Sequence, residues 1–163
     1  MKYEKYQTDY KVIYYTEEYS GIELLINKHN NNLHSIYDEP AVIAFGIDGR
    51  MLYKNWYKNG YIHRDNNYAC IYYDAAGEII ELKSYNAGKL YSYNKPAHIL
   101  YSNKVITEYA FYENDKLHNF NGVALYKNSK IKRGNGEFYF IHGRMHTEEE
   151  YKKIMFKLKL ELL

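Results

Sequence analysis

Apolar and polar positions alternate with a period of two along most of the chain, and the alternation breaks at short polar turns. Ala41, Ile43 and Phe45 fall on one face of such a run, and Ala69, Ile71, Tyr73 and Ala97, Ile99, Tyr101 repeat the same small-to-large series. Each series opens a pair of predicted strands. "PAVIAFG" returns through "IDG" into "RMLYKNWY", "YACIYYD" through "AAG" into "EIIELKSY", and "PAHILYS" runs into "NKVITEYAFY". A fourth pair, "VALYKN" with "SKIKRGNGEFYF", is less regular, and Gly134 and Gly136 predict a bulge or bend there.

The pairs recur in phase with a second signal. "YKNGYIHR", "YNAGKLYS", "YENDKLHN" and "FIHGRMHT" share one shape: an aromatic residue, a turn, then His or Tyr. The closing residues, His34, His63, Tyr91, His118 and His146, are spaced by 29, 28, 27 and 28. Pro40-Ala41, Tyr68-Ala69, Pro96-Ala97 and Val123-Ala124 follow with steps of 28, 28 and 27. Two markers in register predict a repeat protein. The expected fold is mainly β: an antiparallel meander of about four tandem 28-residue β-hairpin repeats in an elongated twisted sheet, closed by a C-terminal capping helix.

A single repeat domain spanning 1–163 is expected, with an N-terminal capping hairpin and loop over 1–32 and hairpin repeats over 33–146. Within the first part, 8–26 reads as an irregular hairpin and "NKHNNN" (27–32) as a polar loop. Thr147 and Glu150 form a capping box that predicts a helix over 147–163. Its apolar side carries Tyr151, Ile154, Met155, Leu158 and Leu162.

Composition narrows the function more than the fold. Twenty-two tyrosines suit half-buried strands, since the ring packs on a sheet while the hydroxyl reaches water. The net charge of +2 is too small for a strong nucleic-acid binder, and residues 1–40 carry four Lys against seven acids. Cys70 is the only cysteine, which excludes an internal disulfide and suits a reducing compartment. "MKYEKYQTDY" lacks the apolar core of a secretion signal, and no apolar run reaches the roughly 18 residues that cross a membrane. A cytoplasmic protein with no membrane partner is therefore expected.

The histidines invite a metal or acid–base reading, but a repeat of two strands sets successive ones roughly 10 Å apart, too far to share an ion. We expect each to brace a turn by hydrogen bonding to backbone, with no metal, cofactor or catalytic residue. Cys70 sits between Ala69 and Ile71 and reads as a buried structural thiol. Glu148, Glu149 and Glu150 suit the start of a helix, where the macrodipole favours acids. What remains is an aromatic ladder with basic neighbours. The interaction candidates are Trp56, Tyr57, Arg64, Tyr85, Lys89, Tyr112 and Lys116. Such a ladder suits a protein partner, and less well the stacked bases of a single-stranded nucleic acid. Unpaired sheet edges also allow self-association.

"WYKNGYIHRDNNYA" (56–69), with "DEPA" (38–41), "FNGVA" (120–124) and the ending "HGRMHTEEEYKK", resembles the W-Y-x-N-G-K-x-H-R-x-D-G-P-A repeats. These are related to the MORN-repeat and YwqK-type antitoxin group and are frequent in bacteriophage and giant-virus proteins. Asn67 and Tyr68 stand where those repeats carry Gly and Pro. The resemblance covers about residues 33–155 and implies a hairpin-repeat binding scaffold with no shared chemistry. Some MORN proteins act on membrane phosphoinositides, but this chain lacks the dense basic face that role needs. The expected function is a non-enzymatic protein-binding scaffold, a phage- or virus-encoded inhibitor of a host defence protein in the manner of an anti-CRISPR protein, working in the host cytoplasm. The alternatives are a nucleic-acid or nucleotide-signal sponge and an antitoxin-like partner of a toxin.

Overall fold

The computed structural model describes residues 4–7, 10–17, 22–29, 32–46, 48–128 and 136–161, with side chains from residue 32 onward. It is mainly β, antiparallel within the sheet, with one C-terminal helix. The chain divides into two compact units, Met1–Lys89 and Leu90–Leu163.

The first unit begins with β1 (Glu4–Gln7), β2 (Tyr10–Glu17), β3 (Ile22–His29) and β4 (Asn32–Leu33). β1 pairs with β2 and β2 with β3, and β4 folds back onto the end of β3 through Lys28↔Leu33 and His29↔Asn32. The expected loop over 27–32 is therefore mostly strand. A ladder needs only backbone groups, so its polar side chains do not prevent pairing. The N-terminal hairpin expected over 8–26 is present as β2 and β3, while β1 carries no clear alternation to announce it.

Next come β5 (Val42–Gly46), β6 (Met51–Asn55), β7 (Tyr57–Lys58), β8 (Tyr61–Ile62), β9 (Cys70–Tyr73), β10 (Ile79–Lys83), β11 (Tyr85–Asn86) and β12 (Lys89–Leu90). β3 pairs with β5, β5 with β6, β6 with β9 and β9 with β10. The first two expected hairpins thus lie where the alternation puts them. Between them stands a small arm, β7–β8, with the register Tyr57↔Ile62 and Lys58↔Tyr61.

The second unit holds β13 (His98–Ser102), β14 (Val105–Ala110), β15 (Tyr112–Glu113), β16 (Lys116–Leu117), β17 (Leu125–Lys127), β18 (Gly136–Ile141) and β19 (Arg144–His146), then α1 (Glu148–Glu161). β13 pairs with β14, β14 with β17, β17 with β18 and β18 with β19, while β15–β16 forms another arm. Gly136 opens β18; the bulge expected at Gly134 lies outside the described residues.

Each arm turns through two residues of positive φ, the geometry that matches strand twist in a two-residue hairpin. The pairs are Asn59–Gly60 (51° and 85°), Ala87–Gly88 (46° and 83°), Asn114–Asp115 (49° and 66°) and His142–Gly143 (48° and 86°). Asn and Gly adopt this region readily; Ala87 does so against its own Cβ.

Burial departs from the alternation in the first unit. Val42 and Ala44 are buried while Ile43 and Phe45 are half-buried, and Cys70 is buried while Ile71 is half-buried. By register Val42, Ala44, Tyr53, Cys70 and Tyr72 share a face, where the rings of Tyr53 and Tyr72 meet at 5.7 Å. Small side chains beneath broad rings are covered without a second layer, so Ala and Cys win over Ile and Phe. In the second unit the expected position holds, since Ile99 is buried.

The helix starts as its capping box requires: Thr147 N–H donates to Glu150 Oε2 at 3.0 Å, and Glu150 N–H to Thr147 Oγ1 at 3.2 Å. One residue pins it. Tyr151 is buried against Tyr139, its hydroxyl accepts the Gly122 N–H at 2.7 Å and donates to Asn119 O at 3.2 Å. Ile154 and Met155 are half-buried, Leu158 lies at the margin of exposure, and Leu162 lies outside the described residues. Among the described residues no helix is long and apolar enough to cross a membrane.

Candidate functional site

The arms stack by one repeated set of backbone bonds. Within the first unit, Gly60 N–H donates to Leu33 O and Gly88 N–H to Ile62 O, both at 2.9 Å. Within the second, Asp115 N–H reaches Leu90 O at 3.1 Å and Gly143 N–H reaches Leu117 O at 2.8 Å. A histidine locks the preceding turn residue. His34 Nδ1 accepts Asn59 N–H (3.2 Å), His63 Nδ1 accepts Ala87 N–H (3.2 Å) and His118 Nδ1 accepts His142 N–H (3.0 Å). These three brace turns as the spacing predicts. Where Tyr91 replaces His, a different bond is made, from Leu90 N–H to Asp115 Oδ1 at 2.7 Å.

Among the described residues, a groove lies beside the aromatic residues of the β7–β8 arm and another beside those of the β15–β16 arm. The first, about 350 Å³, is lined by Trp56, His63, Arg64 and their neighbours. Trp56 is only 4% exposed and donates its indole N–H to Asp38 O at 2.8 Å. The Arg64 guanidinium lies 3.8 Å above the indole ring, makes paired bonds to Asp38 at 2.7 and 2.6 Å, and donates to Tyr68 O at 3.2 Å. That bond and charge hold the Asp38 carboxyl below its usual pKa. Asp65 is likewise lowered, chiefly by the His63 ring at 3.0 Å, with Lys58 at 3.6 Å.

The second groove, about 300 Å³, is lined by the corresponding residues of the second unit, among them Tyr91, Tyr93, Phe111, Glu113, Asn119 and Phe120. Phe111 stands where the first groove has Trp56, Glu113 where it has Lys58, and Asn119 where it has Arg64. Asn119 donates its amide to Val123 O at 2.8 Å, reproducing the Arg64 bond to Tyr68 O and ending there.

Glu113, His118 and His142 form a cluster whose possible ligand atoms lie within 4.8 Å of one another. The residue that meets His118 is not another member of the histidine column but His142, from the turn that His118 braces. The two rings stack at 4.3 Å and 8°, with Phe120 edge-on to His118 at 4.2 Å. Two histidines and a carboxylate are a metal-ligand set, but the chemistry of this arrangement opposes a shared ion. His118 Nδ1 spends its lone pair on a backbone N–H, so the neutral ring carries its proton on Nε2. Parallel rings also aim their in-plane lone pairs side by side rather than at one point. The buried Nε2 has no hydrogen-bond partner, with Glu113 Oε2 3.7 Å away, an arrangement that costs about 1–3 kcal/mol. Burial first and the neighbouring His142 second push the His118 pKa down.

The remaining interaction candidates scatter. Trp56 is buried and Arg64 is spent on Asp38, so neither stands open to a partner; Tyr57, Tyr85 and Tyr112 are half-buried, and Lys89 and Lys116 are exposed. The most exposed tyrosines are others: Tyr37 (96%), Tyr93 (80%) and Tyr61 (64%). Glu113 was missed, and His142, set aside because Gly143 excludes a helical pairing with His146, was not matched to His118, although an acid in the place of Lys58 and a histidine as the first turn residue of the last arm were visible in the sequence. Cys70 is buried, and desolvation raises its thiol pKa to about 12, which removes it as a nucleophile at neutral pH.

Compared with known proteins, the chain matches no protein-family model, no curated protein and no solved structure.

Proposed function

We propose that this chain is a non-enzymatic scaffold that binds another protein, and that it acts as a virus- or phage-encoded inhibitor of a host defence protein. The observation that carries the reading is how the polar groups are used. His34, His63 and His118 hold backbone, Arg64 holds Asp38, and Cys70 is buried. The side chains most able to do chemistry are thus employed in construction. The solvent-facing surface instead carries Tyr37, Tyr61 and Tyr93 with Lys58, Lys89 and Lys116, residue types that suit protein contact. The viral and defence parts of this reading rest on the likeness of "WYKNGYIHRDNNYA" to phage and giant-virus repeats.

The test is affinity purification of the tagged chain from its native cell with quantitative mass spectrometry, repeated with Tyr61→Ala/Tyr93→Ala. One protein at near-stoichiometric yield, lost in the double variant, is expected. Recovery of nucleic acid instead, seen as a high 260/280 nm absorbance ratio that a salt wash lowers, would replace this reading with the sponge.

A further inference from the structure

We propose that the groove of the second unit takes an arginine side chain from the partner protein; this rests on the scaffold reading and names the chemistry of its contact. The chain itself shows how such a groove holds a guanidinium. In the first unit Arg64 lies over Trp56, pairs with Asp38 and bonds to Tyr68 O. The second groove keeps the aromatic floor as Phe111 and the backbone carbonyl as Val123 O, but Asn119 is too short to cover the ring or reach an acid. The acid has moved: the Asp38 position is the neutral Asn94, and the Lys58 position is Glu113.

Charge favours the same occupant. The first groove is balanced within itself, with Lys58 and Arg64 against Asp38 and Asp65. The second is lined by one carboxylate, Glu113, and by no Lys or Arg, and burial keeps His118 toward its neutral form. Both histidine contacts of Glu113 use Oε2, so they do not consume Oε1. Exposed rings of Tyr93 and Phe120 flank the entrance, and a cation over an aromatic face beside a carboxylate is held by both. A volume of about 300 Å³ is at the small end of ligand pockets and suits one long side chain.

The experiment is a ¹⁵N NMR titration of the full chain with Nα-acetyl-arginine amide, against the neutral isostere Nα-acetyl-citrulline amide. The arginine probe should bind in the millimolar range usual for a ligand of its size, shifting amides of 111–113 and 118–121. Citrulline should bind at least about fivefold more weakly. Glu113→Gln and Tyr93→Ala, both at part-exposed positions, should each weaken the arginine probe about three- to tenfold while leaving thermal melting unchanged. Equal binding of citrulline, shifts confined to other residues, or an unaltered affinity in Glu113→Gln would overturn the proposal. Full retention of a purified partner by Glu113→Gln would also remove the arginine contact while leaving the scaffold intact. Failure of the wild-type chain to capture any protein would strike the scaffold reading alone, since the probe titration stands apart from it.

Discussion

The two grooves are built from one pattern of arm, turn and bracing histidine, yet they use their polar groups in opposite ways. In the first, Trp56 is buried, Arg64 covers it, and Asp38 and Asp65 each have a basic partner. In the second, Phe111 is half-buried, Asn119 stops at Val123 O, and His118 keeps a buried N–H without an acceptor. A groove that satisfies its own groups contributes stability. A groove whose one carboxylate has histidines on Oε2 and no Lys or Arg beside it is better suited to a cation from outside. The lesson is that the shared pattern fixes the backbone, while a few differences between the copies decide whether it is a strut or a socket.

Breaking the first groove should give the largest effect. Trp56→Ala removes a buried indole, the floor under Arg64 and the bond to Asp38 O, and should cost about 3–5 kcal/mol in urea unfolding. Phe111→Ala should cost about 1–2 kcal/mol, because that ring is only half-buried; equal losses would erase the distinction between the grooves. Arg64→Met keeps much of the stem over the indole but loses the charge, at about 1–2 kcal/mol, and the Asp38 carboxyl should then titrate higher, as NMR would show.

The comparison sharpens in the other direction with Asn119→Arg. A guanidinium laid over Phe111 next to Glu113 should stabilise the chain by about 0.5–1 kcal/mol and block the arginine probe; a destabilised variant would mean that the lost Val123 bond outweighs it. The smallest effect is in pH. His118 is pushed below its ordinary value of 6.5, so as pH falls through that value the unfolded chain binds a proton that the native ring resists. The sign is therefore a loss of stability on acidification, full stability lying above about 6.5. His118→Asn, which keeps an acceptor for the His142 N–H, should flatten that slope relative to the wild type.

Much of the fold was legible because it is local. The first three main hairpins, whose strands are two to five residues apart, the turn at Asn59–Gly60, and the Thr147–Glu150 box all join residues close in sequence. The brace formed by three histidines was also readable, since their spacing excluded a common ion. The burial of Ala44 and Cys70 in preference to Ile43 and Ile71 was not, because alternation ranks hydrophobicity and does not see a tyrosine ring lying across its neighbours.

The sequence by itself indicated the main strand pairs, the turns after the recurring aromatic positions and the helix start. Only the tertiary structure decided what each groove contains. Arg64 meets Asp38 across 26 positions, and His142 meets His118 across 24, distances over which no sequence rule assigns a partner. Stacking one arm on the next makes those meetings, and the few residues that differ between copies then fix the charge each groove presents.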